Sequence, residues 1–179
     1  GGPRPRRSDS SLAPAVAHRP CVTTPLPARL DLARAALHRH FGFPDFRPAQ
    51  RRVIQSVLAG RDTLAVLPTG GGKSVCFQVP ALVLDGVTVV VSPLLSLMQD
   101  QVEAGKRRGM AAAALNSAQE PARQREVIEA VRQGAVKLLY VSPERLERLA
   151  GALGGMGVRV ALLAVDEAHC ISEWGHDFR

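Results

Sequence analysis

From Leu30 onward the chain alternates regularly between apolar and polar positions. Leu30, Ala33 and Leu37 recur at helical spacing and stop near Gly42. Pro48 opens a second helical pattern, with Val53, Ile54, Val57 and Leu58 as its apolar side and Gly60 as its end. Five short apolar runs follow: LAVL, VTVVV, AAAAL, KLLYV and ALLAV. Helix-period stretches such as SLMQDQVEAGKRR and ARQREVIEAVRQ separate them. Continuous apolar runs of strand length predict strands buried on both faces. Their alternation with helices predicts an α/β fold, a parallel sheet covered by helices on each side. No internal repeat interrupts this order.

Residues 1–28 lack the pattern. Six of the thirteen prolines fall there, without apolar periodicity, so this stretch reads as a disordered Pro/Arg/Ala-rich tail ahead of a domain over residues 29–179. Its Arg/Ser/Ala-rich, acid-poor character also matches an organelle transit peptide. Arg6-Arg7 is not followed by the apolar segment that a twin-arginine export signal needs. No apolar run approaches the ~18 residues of a membrane span.

Composition changes the picture only a little. The formal charge is +7, but residues 1–29 carry five arginines against Asp9, which leaves +3 for the other 150 residues. Net charge thus favours nucleic-acid binding only weakly. Cys21, Cys76 and Cys170 are far apart with no CxxC pair, which argues against a disulfide framework or a zinc site and fits a reducing compartment.

The chemistry lies where strands end. LAVL runs into PTGGGKS, VTVVV into SPLLSL, KLLYV into SPERL and ALLAV into DEAH. Ligands of open α/β sheets bind beyond the carboxyl ends of the strands, so these motifs predict one shared site. In PTGGGKS, Thr69, Gly70, Gly71 and Gly72 can turn backbone N–H groups inward around an anion. Lys73 can then reach the β- and γ-phosphates while the Ser74 hydroxyl ligates Mg²⁺. The strict pattern has glycine six residues before the lysine, where this chain has Leu67. Asp166 is placed to hold the Mg²⁺ shell with Ser74, and Glu167 to orient or deprotonate water. His169 is either a satisfied structural histidine or a link between this site and DNA.

Seven aromatic residues serve the whole chain, yet Phe41, Phe43 and Phe46 crowd into FGFPDF, and Trp174 and Phe178 into the last six positions. Gln50 follows the first cluster, three residues after Arg47. Its amide can pair with N6 and N7 of adenine while Phe43 stacks on the base. The alternative is a loop whose three phenylalanines anchor it to the core.

Taken in order, FGFPDFRPAQ, LPTGGGKSVCFQVPAL, VVVSPLLSLMQDQV, LLYVSPERL and AVDEAHCISEWGHDFR closely resemble the RecQ family of superfamily 2 DNA helicases. The resemblance runs from about Leu30 to Arg179 and implies a RecA-like P-loop NTPase lobe. It carries adenine recognition onto Gln50, with Arg47 and Phe43 beside it. It carries phosphate binding onto Thr69, Gly70, Gly71, Gly72, Lys73 and Ser74, and hydrolysis onto Lys73, Asp166, Glu167 and His169. Coupling of DNA binding to hydrolysis falls on Trp174, His176, Phe178 and Arg179, in an aromatic-rich loop. Many family members have tyrosine at the position of Phe43; stacking survives the change and one hydroxyl is lost.

The resemblance further implies ATP and Mg²⁺ as cofactors, DNA (single strands and duplex junctions) as partner, 3′-to-5′ unwinding in recombination and repair, and no membrane association. Zinc is expected only in a C-terminal region beyond these residues. The compartment would be the bacterial cytoplasm, at the nucleoid, or a nucleus. Because the family loop normally continues past Arg179, the chain is expected to be a fragment, incomplete in its first helicase domain and poorly active alone for lack of a second lobe's arginine. A stand-alone nucleotide- and DNA-binding module without motor activity is the competing reading. A small-molecule kinase would need neither Gln50 upstream nor the aromatic cluster downstream.

Overall fold

The computed structural model describes residues 24–68 and 70–169. Helix α1, Leu26–Phe41, starts inside the stretch expected to be tail. Pro25 and Pro27 sit at its beginning, where a missing N–H removes no helical bond. The helix buries Ala33 and Leu37 and ends on Gly42, whose φ of 73° is the left-handed conformation that closes many helices. Helix α2, Pro48–Leu58, buries Ile54 and Leu58 as its spacing predicts. The Arg29 guanidinium hydrogen-bonds the Leu58 carbonyl and ties the two helices together.

Four strands form the sheet: β1, Val87–Val91; β2, Ala112–Leu115; β3, Leu138–Val141; and β4, Val160–Val165. Their order is β2-β3-β1-β4 and every pairing is parallel, with Val89 opposite Leu139 on one side and Leu163 on the other. The connections carry helices α4, Leu95–Arg107, α5, Pro121–Arg132, and α6, Leu146–Gly155. Side-chain alternation along the strands sorts the core into two layers. Val87, Val89, Val91, Leu139 and Val141 face Val127 and Val131 of α5 and Leu149 and Leu153 of α6. On the opposite face Val90, Leu138 and Tyr140 meet Met98 and Val102 of α4 and Phe77 and Ala81 of helix α3, Val75–Val83. A third layer joins α1, α2 and α3 through Leu37, Phe46, Ile54, Leu58 and Val79.

One predicted strand is absent. LAVL, residues 64–67, is extended but unpaired, and Leu64 and Val66 are 86% and 89% exposed. Apolar character alone does not make a strand; a ladder of backbone bonds does. Among the described residues, 62–67 make no backbone hydrogen bond to the sheet. A cleft of about 600 Å³ separates this segment from β4, which therefore stands at the sheet's edge. The flank of β4 is open, with Leu163 53% and Val165 41% exposed. Among the described residues, no helix is long and apolar enough to cross a membrane.

Candidate functional site

Two loops meet at the carboxyl edge of the sheet. The first, with Pro68 and residues 70–74 described, enters α3. Gly71 N–H donates to the Pro68 carbonyl at 2.9 Å, and Gly72 takes a φ of 75°, a left-handed turn that glycine adopts without strain. A side chain at Gly72 would also collide with the Gln50 amide. Ser74 stands at the N-cap position with helical backbone angles, so its hydroxyl is carried on the first turn of α3.

The segment before α2 clasps this loop from outside. The Gln50 Nε2 donates to the carbonyls of Gly71 and Gly72, both at 3.3 Å, and Arg47 Nη1 donates to the Gly70 carbonyl at 3.1 Å. The Gln50 Oε1 accepts from the Arg47 N–H at 2.9 Å, one half of a capping box at the start of α2. Gln50 is 6% exposed and its amide is committed at both ends. The three phenylalanines before it divide. Phe46 is buried in the third layer, and Phe41 packs partly under the Arg108 guanidinium, 5.1 Å from its ring centre. Phe43 stands 52% exposed. The anchoring reading of FGFPDF thus holds for Phe46 and in part for Phe41, and not for Phe43.

The second loop leaves β4. Asp166 N–H donates to the Val91 carbonyl at 2.9 Å and continues the ladder one residue past the strand. Glu167 then adopts a φ of 51°, uncommon for a side chain with a Cβ, and its N–H donates to Asp166 Oδ1 at 3.0 Å. That turn aims Glu167 back over the sheet edge, where Lys73 Nζ donates to its Oε1 at 3.0 Å. His169 Nδ1 lies 3.4 Å from the other carboxylate oxygen, and its side chain is 74% exposed.

The protonation states follow from these neighbours. The hydrogen bond from Lys73 holds the Glu167 carboxyl below its ordinary value, and the same bond raises the Lys73 ammonium above its own. Burial pushes the adjacent Asp166 carboxyl up. Two neighbouring carboxylates are therefore driven in opposite directions, an arrangement typical of sites where they perform different tasks.

The structure thus brings together Lys73, Asp166, Glu167 and His169, which share one end of the 600 Å³ cleft. Gly70, Gly71, Gly72, Arg47 and Gln50 form a second contact set around the loop, and neither these five nor the exposed Phe43 line that cleft. Thr69, Trp174, His176, Phe178 and Arg179 lie outside the described residues. One further polar group touches the site. Gln101 of α4 donates from Nε2 to the Ser74 hydroxyl at 3.3 Å, and Gln78 of α3 lies behind it. The signal for Gln78 was its amide inside the otherwise apolar VCFQVPALV, four residues after Ser74.

A family model for the DEAD/DEAH box helicase matches residues 47–179. The ATP-dependent DNA helicase RecQ of Bacillus subtilis (strain 168) is 46% identical over 151 residues, which are 84% of this chain and 26% of that protein. The probable ATP-dependent DNA helicase RecS of the same organism is 50% identical over 144 residues, 80% of this chain and 29% of that one. The chain therefore spans between a quarter and a third of the length of these relatives. Among solved structures, the Mycobacterium smegmatis helicase Lhr bound to ssDNA and AMP-PNP superposes with a TM-score of 0.59 over 78% of this chain and 20% of that one. A hypothetical ATP-dependent RNA helicase from Sulfolobus tokodaii gives 0.60 over 80% and 43%. At 22% and 23% identity these two speak for the fold alone.

Proposed function

This chain belongs to the DEAD/DEAH box helicase family, and from that premise we propose that it is the nucleotide-binding lobe of a RecQ-type, ATP-dependent DNA helicase. The observation that carries the reading is the meeting of Lys73 with Glu167, 94 residues apart in sequence, beside a partly buried Asp166 at the carboxyl edge of a parallel sheet. DNA is the polymer we assign, because the relatives named DNA helicases are 46% and 50% identical over most of this chain. Unwinding from 3′ to 5′, a preference for duplex junctions, and a place in recombination and repair belong to the same proposal.

Each residue's task follows from its position. Lys73 and Glu167 satisfy one another, so a nucleotide phosphate must compete with Glu167 for the ammonium. Once Lys73 turns to phosphate, the group that held the Glu167 carboxyl acidic is gone, and Glu167 becomes the better base for water. Ser74 and Asp166 offer one hydroxyl and one carboxylate to a cation. Among the described residues no cluster of three or more His, Cys, Asp or Glu forms a metal cage. So sparse a donor set fits Mg²⁺, which keeps waters and takes phosphate oxygens as remaining ligands. That ion would supply neutralisation of charge on the phosphates. Gln50 and Phe43 remain our candidates for the adenine edge and face. Since the Gln50 amide is already engaged, reading the base requires it to release one of its loop contacts.

Lys73→Ala, made in the full-length protein, tests the assignment. ATP affinity should fall at least about tenfold, the loss of a charge-assisted contact in a phosphate site, and DNA-stimulated turnover should disappear. Unimpaired turnover would sink the reading.

A further inference from the structure

Behind Ser74 runs a chain of side-chain amides that nucleotide chemistry at the loop does not by itself require. Gln101 Nε2 donates to the Ser74 hydroxyl at 3.3 Å. Gln78 Nε2 donates to Gln101 Oε1 at 2.9 Å and to the Tyr140 hydroxyl at 2.8 Å. Gln78 and Tyr140 are each 1% exposed. Three separate elements, α4, α3 and β3, therefore supply a line of polar groups from the centre of the sheet to one hydroxyl of the phosphate loop.

The direction of this line is fixed from its buried end. Gln78 gives both amide hydrogens away, and its Oε1 has no partner. If the amide were reversed, an NH₂ with two hydrogens would occupy that partnerless position. A buried donor left unpaired is rarer in proteins than an under-satisfied carbonyl oxygen, so the observed orientation is the favoured one. With Gln78 donating, Gln101 must accept through Oε1 and turn its own NH₂ toward Ser74. Tyr140 is compatible with this direction, its hydroxyl oxygen accepting from Gln78 at 2.8 Å.

A donor at this point decides which face of Ser74 is free. The hydroxyl oxygen has two lone pairs and one proton. Gln101 takes one lone pair, which leaves the second for a cation and the proton for an acceptor. A serine without this partner would rotate among its three rotamers.

We propose that Gln101 is a positioning residue for the Ser74 cation ligand, with Gln78 and Tyr140 holding it in the donating orientation. The proposal rests on the reading of Ser74 as a Mg²⁺ ligand and extends it to α4, an element outside both the glycine loop and the DEAH segment. A shift of α4 against α3 is then felt directly at the metal position.

The test separates metal positioning from nucleotide binding. Affinity for a fluorescent ADP is measured on the full chain in Mg²⁺ and in EDTA, and Mn²⁺ binding in the presence of ADP is followed by electron paramagnetic resonance. In Gln101→Met, which keeps length and helix propensity but donates nothing, affinity in EDTA should stay within about twofold. The gain on adding Mg²⁺ should shrink by about three- to tenfold, the loss of one ordinary hydrogen bond, and Mn²⁺ affinity should shrink in parallel. Tyr140→Phe should shift both readings in the same direction by a smaller factor, and circular dichroism of both variants should match the unsubstituted chain. An unchanged Mg²⁺ gain in folded Gln101→Met overturns the proposal, as does an equal loss with and without Mg²⁺. If the unsubstituted chain binds ADP with no Mg²⁺ dependence at all, the assignment of Ser74 as a metal ligand fails first and takes this inference with it.

Discussion

Glu167 sits between Lys73 and His169, and on the proposed reading this makes it a brake as well as a base. Holding Lys73 at 3.0 Å, it opposes the phosphates that need the same ammonium. Glu167→Gln should therefore bind ATP more tightly, by about two- to fivefold given the small value of partly exposed ion pairs, while hydrolysis falls away. Global stability should barely move. The sign of the pH dependence follows from the two shifts. Glu167 is depressed, so its share of the pairing is present above the ordinary carboxylate value and lost only as pH falls through the lower folded value. Lys73 is raised, so its share persists below the ordinary lysine value and is lost above the raised one. Between roughly pH 5 and 10 the brake is constant. Titrating both proteins across that range should give parallel affinity curves, converging only in acid; a difference that changes near neutrality would contradict the pairing. At this scale the positions of Asp166 and Glu167 were legible because they directly follow the apolar run of β4, and that of Lys73 because the glycine run leads into α3, although the LAVL strand expected before it does not form. The hold of Gln50 on the loop carbonyls was not legible. It depends on how α2 docks against the loop, a contact across 21 and 22 residues with no local signature.

Helix α3 is the element on which the site is mounted. Seven consecutive residues, Val75 to Ala81, are buried, so the phosphate loop rests on a helix packed on every side. Cys76, two residues past Ser74, shares that burial, which pushes its thiol up to about 11. At pH 8 roughly one molecule in a thousand carries the thiolate, the reactive form. Cys76 should resist alkylation in the folded chain and react fully in denaturant, followed by mass spectrometry of the peptide that carries it; rapid labelling under native conditions would show that α3 opens. Element by element, hydrophobic period identified α1, α2, α4, α5 and all four strands of the sheet. Helix α6 is the exception, because Gly151, Gly154 and Gly155 among its ten residues argue against a helix. Its Leu146, Leu149 and Leu153 nevertheless recur at helical spacing. LAVL failed for the opposite reason. Its composition suits a strand, but strands are made by partners, and the edge of β4 lies across a cleft from it.

Taken as a whole, the molecule is unevenly supported. β1 and β3 are held on both sides, whereas β4 is paired only to β1 and leaves Leu163 and Val165 exposed. The pairing of Val89 with Leu163 also closes a long stretch of intervening chain, so it should form late in folding and open early in unfolding. Asp166 and Glu167 ride on the end of this strand. Native-state hydrogen exchange should find β4 amides opening at a lower free energy than those of β1 and β3, and mild denaturant should release the carboxylates before the core unfolds. Uniform protection across the four strands would refute this. On the proposed reading, the strand that positions the hydrolytic carboxylates would then be a weakly held edge of the sheet. Nucleotide bound between Lys73 and Asp166 would act as a clamp across that weak seam, so occupancy of the site and order of the sheet edge become a single linked equilibrium.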